Sequence, residues 1–101
     1  KETVFPADDW RSTYFVPENL NSSVEHADAL KPHVPEGMTM AEKALRFILA
    51  NETVSTTIPG MRKEHHVRMN LATSDGKALQ PALLEELYQH RWDREPTTWS
   101  Q

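Results

Sequence analysis

The sequence contains no cysteine among its 101 residues. Without thiols the chain can form neither a disulfide framework nor a zinc-thiolate site. No apolar run approaches the roughly 20 residues that a membrane-spanning helix needs, and no apolar stretch typical of a signal peptide follows the polar first residues. Internal repeats and low-complexity runs are also missing. These absences predict a cytoplasmic chain without a membrane segment.

The composition is that of a globular protein, with 38% apolar and 26% charged residues. The 11 basic and 15 acidic residues give a net charge of −4, which argues against a general nucleic-acid binder. The length suits one small domain with a modest core. Because the chain begins with Lys1 rather than methionine, we expect it to be a segment of a longer polypeptide.

A short strand is predicted at residues 54–58, where Val54, Thr56 and Ile58 alternate with Ser55 and Thr57. Most of these side chains are β-branched, which favours a pleated backbone. Such a strand has no partner elsewhere in the sequence, and its backbone groups would be unpaired if buried. We therefore expect the neighbouring strands to lie in a missing part of the parent chain. The alternative is a small all-helical fold in which residues 54–58 are irregular.

The strand is expected to end at Pro59-Gly60. Proline cannot continue a ladder, and glycine permits either a positive φ or the close approach of a neighbour. A helix is predicted over residues 63–73, where Val67 and Leu71 have helical spacing.

Arg62 and Lys63 precede this helix, whose first turn has unpaired amide donors and partial positive charge. A glycine corner, two cations and a helix N-terminus in this order indicate a candidate phosphate site. The alternative interpretation is an ordinary loop in which Arg62 is simply solvated.

The rest of the chain is predicted as a loop over 1–16 and helices over 17–30, 40–50 and 81–91. Thr39 and Glu42 have the spacing of a capping box at the start of the second helix. An apolar stripe at helical spacing then follows: Ala41, Ala44, Leu45, Ile48 and Leu49. In the last helix the expected buried side consists of Leu83, Leu84, Leu87 and Tyr88.

The stretch IPGMRKEHHVRMNL resembles the last strand and cofactor loop of the aldo/keto reductases. The stretches PEGMTMAEKALRFILANETVSTTIPG and LLEELYQHRWDR resemble the same family, so that the likeness extends from about Val4 to Arg94. The resemblance implies the α/β class and the C-terminal fragment of a (β/α)8 TIM barrel. The 101 residues would form a partial reductase domain containing the last βα units.

The resemblance also implies a site for NADPH, with NADH as the alternative cofactor. Gly60 and Met61 would give backbone contacts to the adenosine phosphate, and Arg62 would pair with the 2′-phosphate. Asn70 would bind adenine. His66 belongs to the same set, at a position where the family more often has glutamine or arginine.

The hydride-transfer chemistry of the family needs a tyrosine acid with lysine, aspartate and histidine, all from earlier strands. Neither Tyr14 nor Tyr88 has the matching sequence context, so no catalytic residue is assigned. We expect the chain to be the cofactor-anchoring segment of a reductase of aldehydes or ketones. The expected partners are the nicotinamide dinucleotide, the parent's small carbonyl substrate and the missing N-terminal barrel strands, with no nucleic acid or membrane.

A second hypothesis is a small helical module without catalytic activity, in which the helices at 40–50 and 64–73 form a pair that binds protein or DNA. A metal site is not predicted. His65 and His66 are adjacent, and adjacent helical residues point about 100° apart.

Overall fold

The computed structural model describes residues 3–93, which contain five α-helices and a short 3₁₀ turn. The helices are α1 (Arg11–Tyr14), α2 (Pro17–Leu30), α3 (Met40–Leu49), α4 (Glu64–Ala72) and α5 (Pro81–Tyr88), and the 3₁₀ turn is Lys31–His33. The described residues divide into two compact units. Unit 1 contains residues 3–31 and 90–93, and unit 2 is Pro32–Gln89.

No β-strand forms between residues 3 and 93. The predicted α/β class, the strand at 54–58 and the assignment to a TIM barrel are therefore wrong. A strand requires a neighbouring strand to complete its hydrogen bonds, and the described part of the chain supplies none. The alternative of a helical fold with an irregular 54–58 segment agrees with the structure.

The segment at residues 54–62 runs without helix, turn or bend. The Val54 N–H donates to the Asn51 carbonyl at 3.0 Å, and residues 55–62 form no hydrogen bond within the described chain. Most of their side chains are exposed, and Ile58 reaches 93%. Water can therefore satisfy these backbone groups, which removes the cost of burying them unpaired.

Helix α3 begins at the predicted cap, where the Thr39 Oγ1 accepts the Glu42 N–H at 3.1 Å. The side chain of Glu42 does not complete the capping box but accepts the Arg46 Nε–H at 3.0 Å. The helix ends at Leu49, one residue before the predicted end. The capping residue Thr39 thus determines where this helix begins.

The face that α3 buries is unexpected. An amphipathic helix normally buries its apolar stripe, yet Ala41, Ala44, Ile48 and Leu49 are exposed and only Leu45 of the stripe is buried. The other buried residues of the helix are Lys43 and Arg46. Most of the apolar stripe of α3 is therefore available to a partner.

The buried apolar side chains of unit 2 are Leu45, Leu79 and Leu87, each at 8% exposure or less. Helix α5 begins at Pro81, as predicted, but ends at Tyr88 rather than at residue 91. Tyr88 is 58% exposed, so its expected burial is wrong. Its ring instead lies edge-on to Phe47, with centroids 5.5 Å apart.

Arg46 attaches the turn that follows α4 to helix α3. Its Nη1 and Nη2 donate to the two carboxylate oxygens of Asp75 at 2.8 and 3.0 Å, and Nη1 also donates to the Lys77 carbonyl at 2.6 Å. The bonds to Asp75 and Glu42 raise the pKa of Arg46, and the bonds from Arg46 and the Lys77 N–H hold the pKa of Asp75 well below its usual range. The Arg46 side chain is 8% exposed whereas that of Asp75 is 36% exposed, so this network runs from the interior of unit 2 to its surface.

Unit 1 is organised by aromatic contacts. The region predicted as a loop over 1–16 contains α1, around which Phe5, Tyr14 and Phe15 pack with ring centroids 4.8 to 5.9 Å apart. The Arg11 guanidinium lies over the Phe5 ring at 4.9 Å and pairs with Asp9, whose pKa it lowers to about 2. Helix α2 covers the predicted range, and neither α1 nor α2 has a buried residue.

None of the helices between residues 3 and 93 is long and apolar enough to cross a bilayer.

Candidate functional site

A groove of about 210 Å³ lies in unit 2 between α3, α4 and the irregular segment. It includes two of the five predicted site residues, Met61 and Asn70. The complete lining is Leu45, Leu49, Ser55, Thr56, Thr57, Pro59, Met61, Asn70, Leu71, Thr73 and Ser74. Residues of the stretch IPGMRKEHHVRMNL therefore form part of the groove wall.

The lining combines five apolar residues with six polar ones, so it is more polar than that of a typical small-molecule site. Leu45, Leu49 and Leu71 provide the aliphatic surface. The side-chain amide of half-buried Asn70 can both donate and accept, and within the described chain it makes no hydrogen bond.

The hydroxyls along the groove were not identified as site residues from the sequence. Ser55, Thr56, Thr57 and Ser74 line it, whereas the sequence pattern indicated only strand residues for the first three. The available signal was the clustering of hydroxyl residues immediately before Pro59-Gly60.

Gly60 has neither the positive φ nor the close neighbour that a glycine at this position permits. Its φ is not positive, unlike those of Gly37 and Gly76. A Cβ added at Gly60 would have no atom of the described chain within 4 Å. The position therefore leaves open surface next to two groove residues, Pro59 and Met61.

Arg62 and Lys63 are exposed cations at the start of α4. Among residues 3–93, neither side chain has a hydrogen bond or an ion pair. Lys63 is the N-cap residue, and no side chain caps this end of the helix. The first-turn Glu64 is held by Arg68, with Nη2 to Oε1 at 2.7 Å. This end of α4 thus presents positive charge and unpaired amide donors beside the groove.

His66 is exposed and does not belong to the groove lining. Its ring lies 4.1 Å from that of His65. His66 and Asn70 are four residues apart in α4, which places them on the same side of the helix. Within residues 3–93, no group of three or more histidine or carboxylate side chains could hold a metal ion.

Comparisons of the chain with protein-family models, curated proteins and solved structures find no match. The aldo/keto reductase resemblance therefore stays a prediction that rests on the motif residues.

Proposed function

We propose that residues 59–70 bind the adenosine-phosphate end of NADPH, and of NADH more weakly. This is the cofactor-anchoring role that the resemblance to the aldo/keto reductases implies. The observation that carries the proposal is the groove lined by Met61 and Asn70. Arg62, which forms no ion pair within the described chain, follows Met61 in the sequence.

The size of the groove suits one end of a dinucleotide. Sites that enclose a whole drug-sized ligand have volumes of roughly 300–1,000 Å³, whereas this groove has about 210 Å³. The proposal therefore concerns the adenine ring, held by Asn70 and the leucines, and leaves the nicotinamide end outside the groove.

The charges beside the groove suit a phosphate monoester. An arginine guanidinium can form two parallel hydrogen bonds with phosphate oxygens, which a lysine ammonium cannot. Arg62 forms no ion pair within the described chain, so none has to be broken before it binds a phosphate. The 2′-phosphate is the group that distinguishes NADPH from NADH, so Arg62 is expected to supply the preference.

The proposal covers binding and not hydride transfer. Tyr88 is exposed on α5 and Tyr14 packs against Phe15, and neither lines the groove. The proposal therefore assigns no residue of the described chain to the reduction of an aldehyde or ketone. Cytoplasmic localisation belongs to the same proposal, and fractionation of cells that produce the chain would test it.

Arg62→Ala is expected to weaken NADPH binding about 10-fold or more, because a charge-assisted hydrogen bond contributes roughly 1.5–3 kcal/mol. NADH binding should change less than about threefold, since NADH lacks the 2′-phosphate. Isothermal titration with both nucleotides measures the two constants. Arg68→Ala is the matched control: Arg68 is an exposed arginine of α4 paired with Glu64 and outside the groove, so this change should affect neither constant.

Equal losses for NADPH and NADH in Arg62→Ala would remove Arg62 from the phosphate role. Absence of NADPH binding by the natural chain at millimolar nucleotide would overturn the proposal itself.

The second candidate is the helical interaction module, which the exposed apolar residues of α3 favour. An unpartnered apolar stripe of this kind is typical of a surface that binds protein. The net charge of −4 argues against DNA. We therefore expect no binding in a titration of the chain with duplex DNA, and saturable binding would favour the DNA-binding form of this module over the protein-binding form.

A further inference from the structure

The irregular segment at residues 54–62 exposes an unpaired backbone edge. Residues 55–62 form no hydrogen bond within the described chain, and no turn or bend interrupts them. Exposed unpaired N–H and C=O groups in a straight segment are a template for pairing with another chain.

From Thr56 to Gly60 the side chains are already arranged as in a strand, whereas Val54 is half-buried and Ser55 is exposed. Thr57 and Pro59 are half-buried, whereas Thr56, Ile58 and Gly60 are exposed. Burial at alternate positions is the pattern of a strand with one covered face. The threonines and isoleucine are also β-branched, so the local preference agrees with pairing.

We propose that residues 54–60 pair antiparallel with the same residues of a second copy of this chain, with Thr57 opposite Thr57. In this register Thr56 lies opposite Ile58, and Val54 lies opposite Gly60. The partner is thus an identical chain, and the contact has the two-fold symmetry of common homodimers.

Charge complementarity selects this register. Glu52 is exposed before the paired residues 54–60 and Arg62 is exposed after them, and within residues 3–93 neither takes part in an ion pair. Antiparallel pairing centred on Thr57 brings each Glu52 close to Arg62 of the other copy. Moving the centre to Ile58 would instead bring Glu52 towards Glu64, and parallel pairing would place like charges together, both of which are unfavourable.

The hydrogen-bond pattern of this register also accommodates Pro59. If Thr57 faces Thr57 as a non-hydrogen-bonded pair, Thr56 and Ile58 exchange both backbone bonds, and Pro59 falls in the next non-hydrogen-bonded pair. Its missing N–H then points away from the partner, where proline is tolerated. The Val54 N–H is already bound to the Asn51 carbonyl, and the Val54 carbonyl remains for the Gly60 N–H.

The inference shares Arg62 with the nucleotide proposal but does not depend on nucleotide binding, because it rests on backbone groups and on the opposite charges of Glu52 and Arg62. NADPH titration tests one proposal, and the experiments below, which contain no nucleotide, test the other.

Single-cysteine variants report the register directly, because the natural sequence has no cysteine. Thr57→Cys should form an intermolecular disulfide under mild oxidation, since the Cα atoms of a non-hydrogen-bonded pair are about 4.5 Å apart and disulfides span about 4.4–6.8 Å. Thr56→Cys is the matched control. It is more exposed than Thr57, but its two copies would be separated by more than the roughly 7 Å limit for bridging.

Predominant cross-linking of Thr57→Cys on a non-reducing gel supports the proposal. Equal cross-linking of both variants, or more in Thr56→Cys, would overturn it.

Sedimentation of the natural chain without nucleotide gives a second readout. We expect a monomer–dimer equilibrium that shifts to monomer in Glu52→Arg and in Arg62→Glu and is restored in the double variant. Circular dichroism of each variant checks that the helices are retained. A chain that stays monomeric at several hundred micromolar would exclude this interface. A dimer whose dissociation constant is the same in both charge variants as in the natural chain would also exclude it.

Discussion

Replacing Leu87 by alanine is expected to lower the free energy of unfolding of unit 2 by about 2–4 kcal/mol. Leu87 is 7% exposed and belongs to a set of only three buried apolar side chains in the described chain, with Leu45 and Leu79. A unit of this size has a total stability of roughly 3–9 kcal/mol. The substitution therefore removes a large share of that stability, and few other core contacts exist to compensate.

Urea unfolding followed by far-ultraviolet circular dichroism measures this loss. Leu71→Ala is the control, because Leu71 is 64% exposed and the same change there should alter stability by no more than about 0.5 kcal/mol. Similar losses in the two variants would show that Leu87 is not part of a packed core.

The second large effect is expected at Asp75. Asp75→Asn removes the charge that pairs with both Nη atoms of Arg46 and leaves a guanidinium that is 8% exposed with Glu42 as its remaining carboxylate. We expect the Tm at pH 7 to fall by about 5–10 °C. The 75–77 turn should then be held to α3 mainly by the bond from Arg46 to the Lys77 carbonyl.

The same network predicts a pH dependence. The pKa of Asp75 is lowered in the folded chain by its hydrogen bonds from Arg46 and Lys77, whereas in the unfolded chain it is about 4. The stabilisation is therefore complete above pH about 4 and is lost as the pH falls towards the folded pKa. The unfolded chain takes up the proton first in that range.

Thermal unfolding between pH 7 and pH 2 tests both statements about Asp75. Stability of Asp75→Asn should depend less on pH below about 4 than that of the natural chain. Asp93→Asn is the control, since Asp93 pairs with Arg91 at an exposed position and surface pairs contribute little. Parallel pH profiles for Asp75→Asn and the natural chain would contradict the assigned role.

Helix positions could be predicted from the sequence because their signals are local. Pro17 and Pro81 occupy first-turn positions of α2 and α5, and Thr39 caps α3. Each of these residues acts on atoms within a few positions along the chain. The predicted starts of these three helices consequently agree with the structure.

Features that depend on distant residues could not be predicted in this way. The spacing in VSTTI indicates strand propensity, but a strand also needs a partner that residues 3–93 do not contain. The apolar stripe of α3 indicates which face is apolar, but not whether a partner covers it. The buried position of Arg46 depends on Asp75, which lies 29 residues away.

The candidate site likewise has a part with a local sequence signal and a part that depends on distant residues. Two residues of the motif, Met61 and Asn70, line a groove. The groove itself arises where α3 meets the irregular segment and α4, so Leu45 and Leu49 enter the site without any motif signal.

The most direct test of nucleotide anchoring is an NMR titration of the ¹⁵N-labelled natural chain with NADPH. Saturable shifts of backbone amides should be largest at Gly60, Met61 and Arg62 and in the first turn of α4, and the side-chain amide of Asn70 should shift as well. Amides of unit 1 should remain unchanged and serve as the internal reference. Absence of saturable shifts at these positions, or shifts concentrated in unit 1, would contradict the proposed site.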